Sequence, residues 1–181
     1  MRVVKPDEKG LLEVAGVLNS GGVAVIPTDT VYGLAAHPSF PGAVERLYTI
    51  KLREHRKPIA LLAASASAAG EFIGGFPDAA KGLLRHWPGA LTIVANGEGL
   101  RVPNHDWTRR LIAECGGVLR VTSANLSGSR PATDAADALA SVGLSADIVV
   151  DDGVSPGGVA STVVKVDPDG ITVLRQGAVI L

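Results

Sequence analysis

The sequence predicts an α/β protein built on a mixed sheet, on three observations. Helical and strand periodicities alternate through the first part of the chain, which argues for crossover connections and parallel pairing. A hairpin pattern closes the chain, which adds antiparallel pairing and excludes a purely parallel, doubly wound sheet. No internal repeat, low-complexity tract or long linker interrupts the 181 residues, so one domain over 1–181 is expected.

The elements follow in order. Leu11, Val14, Ala15 and Leu18 recur at helical spacing, and Gly21–Gly22 ends that helix. Val23–Ile26 reads as a fully buried strand stopped by Pro27. Ser39 is placed to cap a second helix that turns Val44, Leu47 and Tyr48 inward. Pro58–Ala63 reads as an apolar strand. Ala80, Leu83, Leu84 and Trp87 form a helical stripe ended by Pro88–Gly89. Leu91–Ala95 is a strand, and Thr108, Leu111, Ile112 and Cys115 give another helical stripe. Val118–Thr122 is a strand, and Ala135, Ala138, Leu139 and Val142 mark a helix capped near Thr133. Ile148–Val150, Ser161–Val166 and Ile171–Leu174 are strands, the last two joined through a turn at Asp167–Gly170.

Composition limits the function. Hydrophobic residues make up 46% and charged residues 19%, which is globular rather than disordered. With 17 basic and 18 acidic side chains the net charge is −1, so polyanion binding by bulk charge is excluded, though a local basic patch is not. A single cysteine, Cys115, excludes an intrachain disulfide and a cysteine-based zinc cluster, and its spacing reads as a buried structural thiol. The N-terminal stretch lacks a signal-peptide core, and no apolar run approaches the ~18 residues of a membrane helix, so a soluble cytoplasmic protein is expected.

Common nucleotide motifs are missing: there is no G-x-x-x-x-G-K-[ST] loop and no G-x-G-x-x-G after a strand. His37, His55, His86 and His105 are scattered without metal-ligand spacing and read as surface or hydrogen-bonding residues, so no metal site is assigned. Gly153–Gly157 matches G-x-S-x-G on paper. Pro156 follows the serine, however, and has no N–H to give an oxyanion, while strand residues follow where a helix is needed. The segment reads as a loop.

Four polar constellations remain. Pro27–Leu34 leaves a buried strand, where α/β folds place ligand loops, and carries three hydroxyls and a carboxylate; a turn that satisfies its own backbone is the alternative. Lys51-Leu52-Arg53, with Lys57, makes a cationic cluster suited to a polyphosphate if the helix ends near Ile50 and the chain runs extended, so that Lys51 and Arg53 face the same way. A solvated basic helix end is the alternative. Thr122–Gly128 puts Ser123 and Asn125 on one side of an extended segment, with the small Ala124 between them; a polar turn at the strand end is the alternative. Arg101, Ser161 and Arg175 each stand at a strand end.

In this order, PTDTVYGL, the K-x-R of KLREHRKP, WPGALT, RVPNH, TSANLSG, AST and LRQGAV resemble the YrdC/TsaC family of threonylcarbamoyl-AMP synthases, in its short single-domain form. The resemblance runs from residue 27 to the C-terminus, and PTDTVYGL and TSANLSG are its most specific stretches. It implies a twisted mixed sheet with surrounding helices and a large concave cavity. It implies an enzyme that makes threonylcarbamoyl-adenylate and pyrophosphate from L-threonine, bicarbonate (or carbon dioxide) and ATP with Mg2+, with no tightly bound organic cofactor. A separate threonylcarbamoyl-transferase complex then modifies tRNA. Position by position, Thr30, Arg101 and Ser161 match residues that hold threonine, and Arg53, Lys57, Ser123 and Arg175 match residues that hold ATP. Lys51 and Asn125 complete the Lys-x-Arg and Ser-x-Asn signature, Lys51 and Arg53 being the expected catalytic cations. The chain departs from the family in having Leu62 where many members have a histidine, and Leu52–Glu54 where many have a Gly-Arg-Pro run. Two alternatives are a module that binds double-stranded RNA or tRNA and a carbamoyl-transfer paralogue.

Overall fold

The computed structural model describes residues 2–168 and 170–181. Ten strands form one sheet: β1 (Arg2–Val4), β2 (Val23–Ile26), β3 (Gly33–Ala36), β4 (Leu61–Ala63), β5 (Leu91–Ala95), β6 (Glu98–Arg101), β7 (Val118–Ser123), β8 (Ile148–Val150), β9 (Thr162–Asp167) and β10 (Gly170–Arg175). Their spatial order is β1-β8-β2-β3-β7-β4-β6-β5-β9-β10. Parallel pairs (β1–β8, β2–β8, β4–β6, β5–β9) occur together with antiparallel ones (β2–β3, β3–β7, β4–β7, β5–β6, β9–β10), so the sheet is mixed as expected.

Six α-helices accompany it: α1 (Glu8–Asn19), α2 (Pro41–Lys51), α3 (Ala66–Ile73), α4 (Asp78–Lys81), α5 (Asp106–Glu114) and α6 (Ala135–Ser141). Successive residues of a strand face opposite ways. Ala24 and Ile26 therefore join the core under α1 and α5, and Val23 and Val25 join the core under α2 and α6. The first half of the sheet is covered on both faces. In the second half, Leu61, Ile93, Leu100 and Val164 pack into a third core with residues of α3 and α4. Their alternates Leu62, Thr92, Val94, Arg101 and Val163 point to the other face and line a cavity. The cavity is thus the face of strands β4, β6, β5 and β9 that lies opposite that third core. No helix of the described residues is long and apolar enough to cross a membrane.

Several expectations are corrected. Ser39 does not cap α2: Phe40 takes that position without a side-chain bond, and Pro41 starts the helix with the φ it favours. Within α2, Ala43 and Leu47 are fully buried, while Val44 and Tyr48 pack only partly. Asp134, one residue past Thr133, caps α6. The strand expected from Pro58 begins only at Leu61, because the Pro58 carbonyl is taken by the Arg53 guanidinium. The stripe from Ala80 to Trp87 is not one helix: α4 ends at Lys81, a 3₁₀ turn covers Leu84–His86, and Trp87 is extended, yet Ala80, Leu83 and Trp87 are still buried. The turn expected at Asp167–Gly170 includes Asp169, which lies outside the described residues; the strands it joins pair antiparallel. Ser155 lies in an irregular loop followed by strand β9, in keeping with the rejected nucleophile motif. Cys115 is buried, and burial, with Glu114 adding to it, pushes its thiol up to about 12.

Candidate active site

The cavity has a volume of about 400 Å³. Six of the nine residues singled out from the sequence line it: Thr30, Arg53, Arg101, Ser123, Ser161 and Arg175.

The loop between β2 and β3 is built on Thr28. Its hydroxyl donates to the Val31 carbonyl at 2.6 Å and accepts from the backbone N–H groups of Thr30 at 3.1 Å and Val31 at 3.3 Å. This closes the turn, so both sequence readings hold: Thr28 satisfies the backbone while Thr30 faces the cavity. With its only proton on Val31, Thr28 accepts from the Thr30 hydroxyl at 3.0 Å. Thr30 in turn accepts from Nη1 of Arg101 at 2.8 Å. Tyr32 ties the far end of the loop down: its hydroxyl donates to the Gly153 carbonyl at 2.8 Å and accepts from the Asp152 N–H at 3.0 Å. Burial raises the Tyr32 phenol above its ordinary value.

Arg101 is buried at the end of β6. Its Nε donates to the Gly89 carbonyl at 2.9 Å, and its Nη2 donates to Oδ1 of Asp29. Burial pulls this guanidinium below the ordinary arginine value, and Asp29 opposes the fall. Arg175 comes from β10, where a register shift between Val173 and Arg175 brings both Leu174 and Arg175 to the cavity wall. It donates to the Ser161 carbonyl at 2.7 Å and to the Ser161 hydroxyl at 3.2 Å. Ser161 Oγ also lies 2.8 Å from the Thr92 hydroxyl. Arg53 donates to the carbonyls of Lys57 at 2.9 Å and Pro58 at 3.1 Å. Burial and then the Arg53 charge lower Arg175, and Arg175 in turn lowers Arg101. Arg53, Arg101 and Arg175 are the three guanidiniums of the cavity wall. Among the described residues, only Arg101 has a carboxylate partner.

Lys51, Lys57 and Asn125 are not among the residues that line the cavity. The extended reading of Lys51-Leu52-Arg53 is corrected: α2 runs through Lys51, and Leu52 takes a left-handed conformation (φ 51°). That turn separates the two cations. Arg53 goes to the cavity, while Lys51 lies 1% exposed beneath β7 and donates to the carbonyls of Ser123 and Asn125. Burial, with Arg53 adding to it, lowers Lys51 from its ordinary 10.5 to about 8. The Lys57 ammonium is turned to Glu54 at 3.5 Å, and only its backbone carbonyl meets Arg53. Asn125 does not share a side with Ser123, because β7 ends at Ser123. Its Nδ2 donates to the carbonyls of Leu126 at 2.9 Å and Ser129 at 2.8 Å, closing the turn, and its buried Oδ1 has no partner.

The sequence reading did not single out Thr92, and it took Asp29 only as the carboxylate of the Pro27–Leu34 loop, with no role of its own. Thr92 was legible as the one hydroxyl inside the apolar run Leu91–Ala95. Asp29 carried no separate signal, since its role depends on Arg101, 72 residues away. His105 makes hydrogen bonds as expected: Nδ1 accepts from the Thr108 N–H at 3.3 Å, capping α5, and Nε2 lies 2.9 Å from Asp152.

Comparison with known proteins places the chain by sequence and by fold. A family model for Sua5, YciO and YrdC, described as telomere recombination, matches residues 16–177. The threonylcarbamoyl-AMP synthase of Idiomarina loihiensis is 32% identical, covering 87% of this chain and 92% of the relative. That of Bacillus subtilis is 31% identical over 93% of this chain, which spans only 54% of the Bacillus protein. The crystal structure of P. abyssi Sua5 complexed with L-threonine superposes with a TM-score of 0.90 at 27% identity, covering 98% of this chain and 57% of that one. E. coli YciO, at 21% identity and a TM-score of 0.85 over 98% of this chain and 95% of that one, shares the fold. The chain belongs to the Sua5/YciO/YrdC family.

Proposed function

We propose that the cavity is the active site of a threonylcarbamoyl-AMP synthase, which joins L-threonine, bicarbonate (or carbon dioxide) and ATP into threonylcarbamoyl-adenylate and pyrophosphate. The observation that carries this reading is the distribution of charge: one guanidinium neutralised by Asp29 among hydroxyls, beside two that have no carboxylate partner among the described residues. The first environment suits an amino acid and the second a polyphosphate. The named relatives and the P. abyssi complex with L-threonine support the same assignment.

Threonine binds at Thr30, Arg101 and Ser161. A guanidinium has five N–H donors. Three of Arg101's are engaged, by Gly89, Thr30 and Asp29, so two remain for the substrate carboxylate. ATP binds along Arg53, Ser123 and Arg175. Lys51 and Asn125 act from beneath by shaping the turn that presents Ser123, and Lys57 acts through its carbonyl on Arg53. Among the described residues, hydroxyls and guanidiniums line the cavity and no carboxylate does. Magnesium therefore enters as part of the ATP substrate, held mainly by phosphate oxygens and water.

The reaction needs no protein nucleophile. The threonine ammonium loses a proton to solvent, the free amine adds to carbon dioxide and releases a second proton to give a carbamate, the carbamate oxygen attacks the α-phosphorus, and pyrophosphate leaves. Holding the two anions in register contributes up to about 7–11 kcal/mol. Arg53 and Arg175 stabilise charge on the phosphoryl oxygens and the departing pyrophosphate. The cavity walls shield the labile carbamate from water. A downstream transferase consumes the adenylate.

Titration calorimetry tests the assignment. L-threonine and Mg–ATP should each bind once per chain, Arg53→Ala removing the nucleotide and sparing the amino acid. A chain that binds nucleotide but no amino acid contradicts it.

A further inference from the structure

Asp29 is the only carboxylate that reaches a cavity guanidinium among the described residues, and it does so from behind. The side chains of Arg101 and Asp29 are 7% and 12% exposed, and Asp29 is not among the residues that line the cavity. Its position is fixed from two directions. The Thr28 hydroxyl closes the turn around it. Its backbone carbonyl accepts from the Gly157 N–H at 3.0 Å, and a Cβ at Gly157 would stand 2.5 Å from that oxygen. Two loops thus clamp Asp29 against Arg101.

We propose that Asp29 sets the ligand class of this end of the cavity: by holding and neutralising Arg101, it makes the site select an amino-acid zwitterion over a bare anion. The inference rests on the amino-acid reading given above and deepens it. Arg101 and Asp29 together carry no net charge. A zwitterion leaves that sum at zero, whereas a bare carboxylate or phosphate adds a negative charge that the pair does not offset and that falls to Arg175 alone, in a buried place. Without the Asp29 charge the preference narrows, because Arg101 itself then offsets a bare anion. Asp29 is a positioning and specificity residue, since it acts through Arg101.

The test compares L-threonine with 2,3-dihydroxybutanoate, the same skeleton with the amine replaced by a hydroxyl, by titration calorimetry on the full chain. Wild type is expected to prefer threonine. Asp29→Asn is expected to narrow that preference by about tenfold or more, with the hydroxy acid and inorganic phosphate binding more tightly than to wild type. A preference unchanged within about twofold in a folded Asn variant overturns the proposal. Should the Asn variant fail to fold, Asp29→Glu carries the test: it keeps the charge, so the preference for threonine should persist, and its loss overturns the proposal. Wild type that binds no threonine removes the amino-acid reading, and this inference with it; wild type that binds threonine beside an unaltered Asn variant overturns this inference alone.

Discussion

The ammonium of Lys51 donates to the backbone carbonyl of Ser123 from below, so the last residue of β7 is held by a buried cation on one side and faces the cavity on the other. Lys51 also donates to the Asn125 carbonyl, and its own carbonyl accepts from the Ser127 N–H at 2.9 Å. One residue at the end of α2 therefore fixes both ends of the turn that presents Ser123. Replacing it with Met keeps the bulk and leaves two carbonyls without their donor. Turnover should fall at least about tenfold, roughly 1.4 kcal/mol, through weaker ATP use with threonine affinity little changed. Steady-state kinetics in each substrate decides this.

The same lysine has a pH signature. Its value in the fold is lowered to about 8 from an ordinary 10.5. Between those values the unfolded chain binds a proton that the folded chain does not, so this group's contribution to stability rises with pH across the window. Activity should move the other way, falling above about pH 8 as the charge on the turn is lost. Thermal melts from pH 7.5 to 10 should show wild type gaining on Lys51→Met, and the Met variant's rate should lack the alkaline limb that wild type shows.

Among the described residues, the Arg53 side chain is tied to the fold by two carbonyls farther along its own loop. Arg53→Ala should leave the melting temperature nearly unchanged and cut turnover by about 10²–10³, the scale for losing one preorganised charge-stabilising donor. A wild-type rate in a folded variant would refute its assignment.

Ser161 bridges Arg175 and Thr92. Removing its hydroxyl in Ser161→Ala leaves the buried Thr92 oxygen without its partner and loosens Arg175. Threonine affinity should weaken about fivefold, near 1 kcal/mol, and more than ATP affinity does. Equal losses for the two ligands count against the division of the cavity.

Gly157→Ala tests the clamp on the β2–β3 loop. An added methyl carbon would meet the Asp29 carbonyl at 2.5 Å and Thr30 Cα at 3.2 Å, so one loop must move. Threonine KM should rise several-fold while the ATP KM holds, because Thr30 and Arg101 are displaced together. An unchanged threonine KM shows that the contact is not needed.

The sequence was legible where local pattern and burial agree. Val23–Ile26 is a run of four apolar residues, and it lies inside the sheet between β8 and β3 with both faces covered. β3 was hidden because Gly33-Leu34-Ala35-Ala36 has no β-branched residue. Glycine is needed there, since a Cβ at Gly33 would meet Val121 Cγ1 at 2.6 Å across the sheet. Of the six site residues found, Thr30, Arg101, Ser123, Ser161 and Arg175 lie at strand ends or in a polar loop after a strand, and Arg53 lies in the basic run that follows α2. The geometry of Lys51 was not legible: a left-handed Leu52 cannot be read from a residue that rarely adopts it, and that one dihedral decides whether the lysine faces substrate or the underside of a turn. The pairing of Asp29 with Arg101 was not legible because a long-range ion pair leaves no local pattern.

The most direct measurement of the central claim is pyrophosphate release, with mass detection of the adenylate, from protein given ATP, magnesium, bicarbonate and L-threonine, each of the last two omitted in turn. The account predicts threonylcarbamoyl-adenylate and pyrophosphate only when both are present. Pyrophosphate released equally without threonine, or no turnover from protein that binds ATP, would contradict it.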